Sequence, residues 1–113
     1  MPMWIRVYDD DQDLWRYFEG DEEGRVTRQV DLRGEDGTPV TAASLEEVLR
    51  FQERSDFATM GRYLRRYGQL AEGRLASWHG ACPTDEIPAE EFERVWLDAR
   101  RVLGSTAPHP DGY

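Results

Sequence analysis

The chain has 113 residues, one cysteine and a formal net charge of −9, with 39% hydrophobic and 12% aromatic residues. This length and composition predict one globular domain with a single core, and they exclude an internal disulfide framework and a disordered chain. All the basic residues are arginine, so chemistry that needs a lysine, such as a Schiff base or a Walker-type phosphate site, is also excluded.

The first half of the chain predicts an antiparallel β-meander of about four strands. Ile5 and Val7 alternate with polar or aromatic neighbours, and an aromatic run with strand propensity follows the first acidic turn. Asp36-Gly37 is a hairpin signal before the last of these strands. The predicted strands are residues 3–8, 14–18, 26–32 and 38–42.

The second half of the chain changes to a helical period. Ser44 and Glu47 have the spacing of a capping box, which predicts a helix beginning after Ser44. Ser55 or Asp56 is expected to cap a second helix, and residues 73–86 are expected to form a loop. The stripe expected to be buried in this second helix comprises Phe57, Met60, Leu64, Tyr67 and Leu70.

The last helix has the clearest pattern. Pro88 suits a first helical position and Gly104 suits the end of a helix. Its apolar stripe is predicted to be core rather than a free binding face, because burying it would supply a large part of the stability of a small domain. That stripe comprises Phe92, Val95, Trp96, Ala99, Val102 and Leu103.

Together these elements predict an α+β fold in which an antiparallel β-meander of about four strands precedes two or three helices packed on one face. The domain is expected to span residues 1–104, with 105–113 as a flexible tail. No apolar run approaches the roughly 20 residues of a membrane-spanning helix, and the first residues lack the pattern of a signal peptide. With the single cysteine, these features predict a cytoplasmic protein without a membrane partner.

Acidic residues are concentrated at the start of the chain, where residues 1–47 hold 13 Asp or Glu against 5 Arg. Many of these acids lie in two clusters that fall in predicted turns. Concentrated charge of this kind steers a basic partner and raises its rate of association. The residues predicted to contact a basic protein partner are Asp9, Asp10, Asp11, Asp13, Asp21, Glu22 and Glu23.

Metal and nucleophile patterns are incomplete. Asp9, Asp11 and Asp13 have the first spacings of a calcium loop, but the required glycine and glutamate do not follow. His79 and Cys82 form a single H-x-x-C pair, whereas a structural zinc site needs four ligands. We therefore expect no metal or other cofactor, and we interpret the lone thiol as a packed side chain rather than a nucleophile.

An arginine-rich segment follows the acidic half, since residues 48–80 hold 6 Arg against 3 acids. Three interpretations remain open: ion pairs with the protein's own acids, nucleic-acid binding and contact with an acidic protein. The net charge of −9 argues against nucleic acid, because it would repel a polyanion. The residues concerned are Arg54, Arg62, Arg65, Arg66 and Arg74.

Arg28 lies on the predicted core face of its strand, together with Val26, Val30 and Leu32. Either it snorkels at the sheet edge, or it has a carboxylate partner in what would be a functional pocket. The second option supports an alternative function, a small enzyme or small-molecule-binding accessory protein with an aromatic pocket between sheet and helices. The pocket residues would be Trp4, Trp15, Tyr17, Arg28, Trp78, Glu86 and Trp96.

Short segments across residues 3–99 resemble a small bacterial domain-of-unknown-function family that is frequent in actinobacteria. The segments include Ile5-Arg6-Val7, Arg28-Gln29-Val30, Leu70-Ala71-Glu72 and the run from Glu86 to Trp96. That family is similar in size and acidity to immunity proteins encoded beside bacterial toxins, and no catalytic motif comes with it. The resemblance implies a non-enzymatic inhibitor of a basic toxin or nuclease.

Overall fold

The computed structural model describes residues 2–71 and 84–106. These residues form five strands and three helices, which confirms the predicted α+β class. The strands are β1 (Met3–Asp9), β2 (Leu14–Gly20), β3 (Val26–Arg33), β4 (Pro39–Ser44) and β5 (Thr84–Glu86). The helices are α1 (Leu45–Glu53), α2 (Phe57–Tyr67) and α3 (Ala89–Thr106).

The strands form one antiparallel sheet in the order β4-β3-β2-β1-β5. The first four are the predicted meander. β5 is an addition, because residues 84–86 were expected to be loop but pair with residues 5–7 of β1. The sequence of β5, Thr-Asp-Glu, has no apolar alternation, so this strand depends on the open edge of β1 rather than on its own propensity. Residues 73–83 of the expected loop lie outside the described residues.

One face of the sheet is covered by α3. Tyr17, Val30 and Ala42 of the sheet are buried against Phe92 and Ala99 of the helix. Phe92 and Ala99 are fully buried, as the spacing of the last helix predicts. Tyr67 of α2 packs against the same cluster, α1 and α2 both contact the edge strand β4, and α2 also contacts α3.

The opposite face of the sheet has its own buried cluster. Ile5 and Phe18 are fully buried there, with Val26 beside them. The sequence predicts Val26 on the same face as Val30, and this is wrong because the pairing of β2 with β3 shifts register after Glu19. A bulge inserts one residue into a strand and so turns the side chains beyond it to the other face.

The entry to α1 differs from a capping box. Ser44 occupies the N-cap position with φ −124° and ψ 130°, but its side chain makes no capping bond. Its backbone N–H instead donates to the Tyr63 hydroxyl oxygen at 2.8 Å. Glu47 accepts hydrogen bonds from Tyr63 at 2.7 Å and from Arg100 at 2.5 Å. The two residues of the expected box are thus engaged by α2 and α3.

α2 begins at the expected residue, but the face that it buries is not the predicted one. The Asp56 side chain caps the helix by accepting from the backbone N–H of Thr59 at 3.1 Å. Tyr63 is the buried residue of α2, whereas Phe57 is 73% exposed and Leu64 is 37% exposed. The expected stripe is therefore wrong for Phe57 and Leu64, because the contacts of Tyr63 with α1 and α3 set which face of α2 turns inward.

α3 continues past its expected end. Gly104 lies inside the helix, which ends at Thr106, so residues 105 and 106 of the predicted tail are helical. A Cβ at Gly104 would lie 3.5 Å from the Tyr67 hydroxyl, so the helix packs closely against α2 at this position. Residues 107–113 lie outside the described residues. None of the helices in the described ranges has the length and apolar character needed to cross a membrane.

A buried polar network lies on the sheet face opposite α3. Asp31 is 3% exposed and accepts hydrogen bonds from Gln29 Nε2 at 2.9 Å and from Arg16 Nη1 at 3.1 Å. Arg16 also holds Asp9 at 3.0 Å, and Gln29 Oε1 accepts from the backbone N–H of Ala71 at 2.7 Å. Burial outweighs these contacts and raises the pKa of the Asp31 carboxyl.

We expect the cost of Asp31→Asn to decrease as pH rises from 4 to 7. A raised pKa means that the folded state holds the proton more tightly than the unfolded state, so wild-type stability falls as pH rises above the ordinary Asp value of about 3.9. Asparagine cannot ionise and escapes this loss. The Asp31→Asn substitution should lower the free energy of unfolding by about 1 kcal/mol at pH 4. Urea unfolding across the pH range measures how this cost changes.

Asp36→Asn is the matched control for this pH dependence. The backbone N–H of Thr38 donates to Asp36 and lowers the pKa of its carboxyl. The stability that this carboxylate contributes is fully present above about pH 5 and is lost as pH falls through the ordinary Asp value of about 3.9, so the cost of the control should stay constant from about pH 5 to 7 and fall slightly towards pH 4. A cost of Asp31→Asn that grows with pH would show that Arg16 outweighs burial at Asp31.

Candidate functional site

Two turns meet at one end of the sheet. In a meander the first and third turns lie at the same end, and here they are residues 10–13 and 34–38. The backbone N–H of Gly34 donates to the Asp13 carbonyl oxygen at 2.8 Å. A Cβ on Gly34 would lie 2.0 Å from Asp13 Oδ1, so glycine allows this approach without displacing the carboxylate. We call the surface formed by these two turns the acidic end.

The carboxylates of the acidic end differ in how they are engaged. Asp9 is 15% exposed and is held by Arg16, so it belongs to the buried network and not to the surface. Asp13 accepts from the Tyr8 hydroxyl at 2.5 Å, and Asp36 caps its own turn. Arg33 is an exposed cation beside them. The exposed carboxylates of this end belong to Asp10, Asp11, Asp13, Glu35 and Asp36.

The second predicted acidic cluster lies at the other end of the sheet. Asp21 accepts from the backbone N–H groups of Arg25 at 2.9 Å and Glu23 at 3.0 Å, which lowers the pKa of its carboxyl. Glu22 and Glu23 are exposed. β2 has seven residues, so about 20 Å separates the two turns at about 3.3 Å per residue. The predicted partner-binding residues therefore form two surfaces.

The predicted pocket residues divide between the two faces of the sheet. Trp4, Trp15, Tyr17 and Trp96 belong to the cluster on the α3 face, where Arg28 also lies. Glu86 is exposed and pairs with Ile5, whose side chain faces the opposite side of the sheet. Trp78 lies outside the described residues. The fold thus brings five of the seven predicted residues together and separates Glu86 from them.

Arg28 has carboxylate partners on both sides. Its guanidinium donates to Glu19 at 2.6 Å and to Glu93 of α3. Glu19 also accepts from the indole N–H of Trp4 at 3.0 Å. Burial opposes ionisation of Glu19, but the hydrogen bonds from Arg28, Trp4 and Thr27 outweigh it and lower the pKa of the carboxyl. The same pairs raise the pKa of Arg28.

Trp96 lies between two guanidinium groups. Arg28 Cζ is 5.0 Å from its ring centroid and Arg100 Cζ is 4.4 Å from it. Arg100 also lies 4.0 Å from the ring of Tyr67 and donates to the Ala42 carbonyl oxygen at 2.9 Å. The aromatic side chains under α3 are packed around the protein's own cations, in the positions where a ligand cation would bind.

Arg100 was not singled out as a site residue by the sequence. A signal was present, because Arg100 follows Trp96 by four residues and shares the inward face of α3. Arg54, which follows α1, and the arginines of α2 behave differently. Arg54, Arg62 and Arg65 are exposed and form no ion pair with any described residue, although Arg62 bonds the Thr59 hydroxyl at 3.0 Å. The pKa of the Asp56 carboxyl is lowered by hydrogen bonds from Thr59 and also by the charges of Arg62 and Arg54, so these two arginines do interact with one of the protein's own acids.

The described ranges contain no group of three or more His, Cys, Asp or Glu side chains placed to hold a metal ion. The three aspartates of the calcium-like spacing are split, because Asp9 binds Arg16 and Asp13 binds Tyr8. His79 and Cys82 lie outside the described residues.

No family model, curated protein or solved structure matches the chain. The resemblance to the actinobacterial family therefore stays a prediction.

Proposed function

We propose that the protein is a non-enzymatic binding domain whose acidic end contacts a basic protein partner, such as a toxin or nuclease. The observation that supports this best is the pairing of two turns at one end of a sheet, which places five exposed carboxylates beside one exposed arginine. Two of these acids, Glu35 and Asp36, come from the third turn and extend the predicted cluster. Charge gathered in this way steers a basic partner.

The acidic end is also held in place. The turns bond each other through Gly34 and Asp13, and Tyr8 holds the Asp13 side chain. Asp9 is fixed beneath the first turn by Arg16 and accepts from the backbone N–H of Asp11 at 3.1 Å. A surface that is already ordered loses less conformational entropy on binding than a mobile one, which favours a tight complex.

The charge contribution can be isolated with two triple variants of equal net charge. Asp10→Asn, Asp11→Asn and Glu35→Gln remove charge from the acidic end without touching the Tyr8 bond or the Asp36 cap. Glu46→Gln, Glu53→Gln and Glu90→Gln remove the same charge from exposed positions outside both acidic turns. We expect the first set to slow association with a labelled octa-arginine peptide by about tenfold at low salt, and the second set to slow it much less.

The measurement is stopped-flow fluorescence at several ionic strengths, with NMR shift mapping of the peptide site. The difference between the variants should shrink near 0.15 M salt, where the screening length is about 8 Å. Equal losses in both variants, or shifts centred away from residues 10–13 and 34–38, would contradict the proposal. The product of the adjacent gene is the natural partner to test next, because immunity-like proteins are encoded beside their toxins.

A further inference from the structure

A second feature of the fold is an apolar cavity between α1, α2 and the start of β3. Its volume is about 430 Å³, which is within the size range of small-molecule pockets. The cavity lies away from the acidic end and from the aromatic cluster under α3, and it borders the second acidic turn at Arg25. The apolar side chains of its wall are Val26, Leu45, Val48, Met60, Leu64 and Leu70.

The apolar wall of this cavity is partly exposed to water. Leu64 is 37% exposed, and Leu45, Val48 and Met60 are only partly buried. Covering apolar surface that is exposed to water contributes about 25 cal/mol of binding free energy for each Å². An apolar body seated in the cavity would therefore gain binding energy.

Three polar groups also line the cavity. They are the guanidinium of Arg25 and the side-chain amides of Gln52 and Gln69. Arg25 Nε lies 3.5 Å from Asp21 Oδ2, and the Arg25 side chain is 60% exposed, so its guanidinium remains accessible to a ligand. The two amides form no hydrogen bond within the described part of the chain. Donors on one side of an apolar cavity match a ligand with one polar head.

We propose that this cavity binds a small amphipathic carboxylate, with its apolar body against Met60 and Leu64 and its head at Arg25. A guanidinium donates two parallel hydrogen bonds to a carboxylate, which a hydroxyl cannot accept in the same way. The amides of Gln52 and Gln69 supply further donors. This proposal is independent of the acidic end, because Arg25 lies at the other end of β3.

Octanoate is the probe, and octanol is the matched ligand without charge. NMR titration of the full chain should give a Kd of about 1 mM or tighter for octanoate, with shifts confined to α1, α2 and residues 25–26 and 69–71. Octanol should bind at least about fivefold more weakly. Equal affinities for the two ligands, or no saturable binding of octanoate, would overturn the proposal.

Two pairs of variants test the placement of body and head. Leu64→Glu puts a negative charge on the cavity wall and should abolish octanoate binding, whereas Leu97→Glu places the same change on α3, where Leu97 is 65% exposed. Arg25→Gln should weaken octanoate binding about three- to tenfold and leave octanol unchanged. Arg101→Gln is its control, since both arginines are exposed and weakly paired. Equal effects within either pair would contradict the assignment.

Discussion

Replacing Trp96 with alanine is expected to lower the free energy of unfolding by about 3 kcal/mol, whereas Leu97→Ala should change it by less than about 0.5 kcal/mol. The two residues are neighbours on α3, so both variants change the same helix by one side chain. Trp96 belongs to the cluster on the α3 face and Leu97 is 65% exposed. Urea unfolding followed by circular dichroism measures both values.

The physical reason lies in what the indole contacts. Trp96 lies against the guanidinium groups of Arg28 and Arg100 and is nearly parallel to the ring of Phe92, at 6.5 Å and 15°. Removing the indole leaves a cavity and takes away a ring from two partly buried cations. The surrounding helix and sheet are held by other contacts, so the cavity would not collapse completely.

The same variant distinguishes two roles for the aromatic residues under α3, a packed core and a ligand pocket. An aromatic side chain that only lines a ligand pocket contributes little to the free energy of unfolding. Its loss would lower ligand affinity more than stability. A cost near 3 kcal/mol would support a packed core around Trp96, with ligand binding left to other surfaces. A cost close to that of Leu97→Ala would contradict the packed core and keep the aromatic pocket as a candidate ligand site.

The meander could be predicted from sequence because its signals are local. Alternation in β1 and the Asp36-Gly37 turn each report on a few neighbouring residues, and their order gives the sheet topology. β5 could not be predicted, since Thr84–Glu86 pair only because β1 offers a free edge. The face of Val26 was missed for a similar reason: the bulge after Glu19 is visible only in the pairing.

The acidic end was partly predictable. A meander places its first and third turns together, so Glu35 and Asp36 could have been grouped with Asp10 and Asp11 from topology alone. The sequence could not show that Asp9 is taken up by Arg16 beneath the surface. Such a contact depends on which two side chains the strand register brings together, and the amino-acid composition does not determine this.

Arg100→Met is expected to lower the free energy of unfolding by about 2–4 kcal/mol. Methionine retains much of the apolar stem but removes every hydrogen bond of the guanidinium. Arg100 is 20% exposed and donates to Glu47, to the Tyr63 hydroxyl at 2.9 Å and to the Ala42 carbonyl oxygen. The substitution therefore leaves the half-buried Glu47 carboxylate with the Tyr63 hydroxyl but without its cationic donor, and it removes the hydrogen bond to the Ala42 carbonyl oxygen.

Arg101→Met is the control for this prediction. Its side chain is 71% exposed and pairs only with Asp98, three residues earlier on the same helix. Exposed pairs of this kind contribute about 0–1 kcal/mol, so the control should unfold close to wild type. Arg100 joins α3 to β4, α1 and α2 at once, because its partners come from all three elements. If both variants lost equally little stability, the packing of α1 and α2 beside β4 would have to rest on contacts other than this arginine.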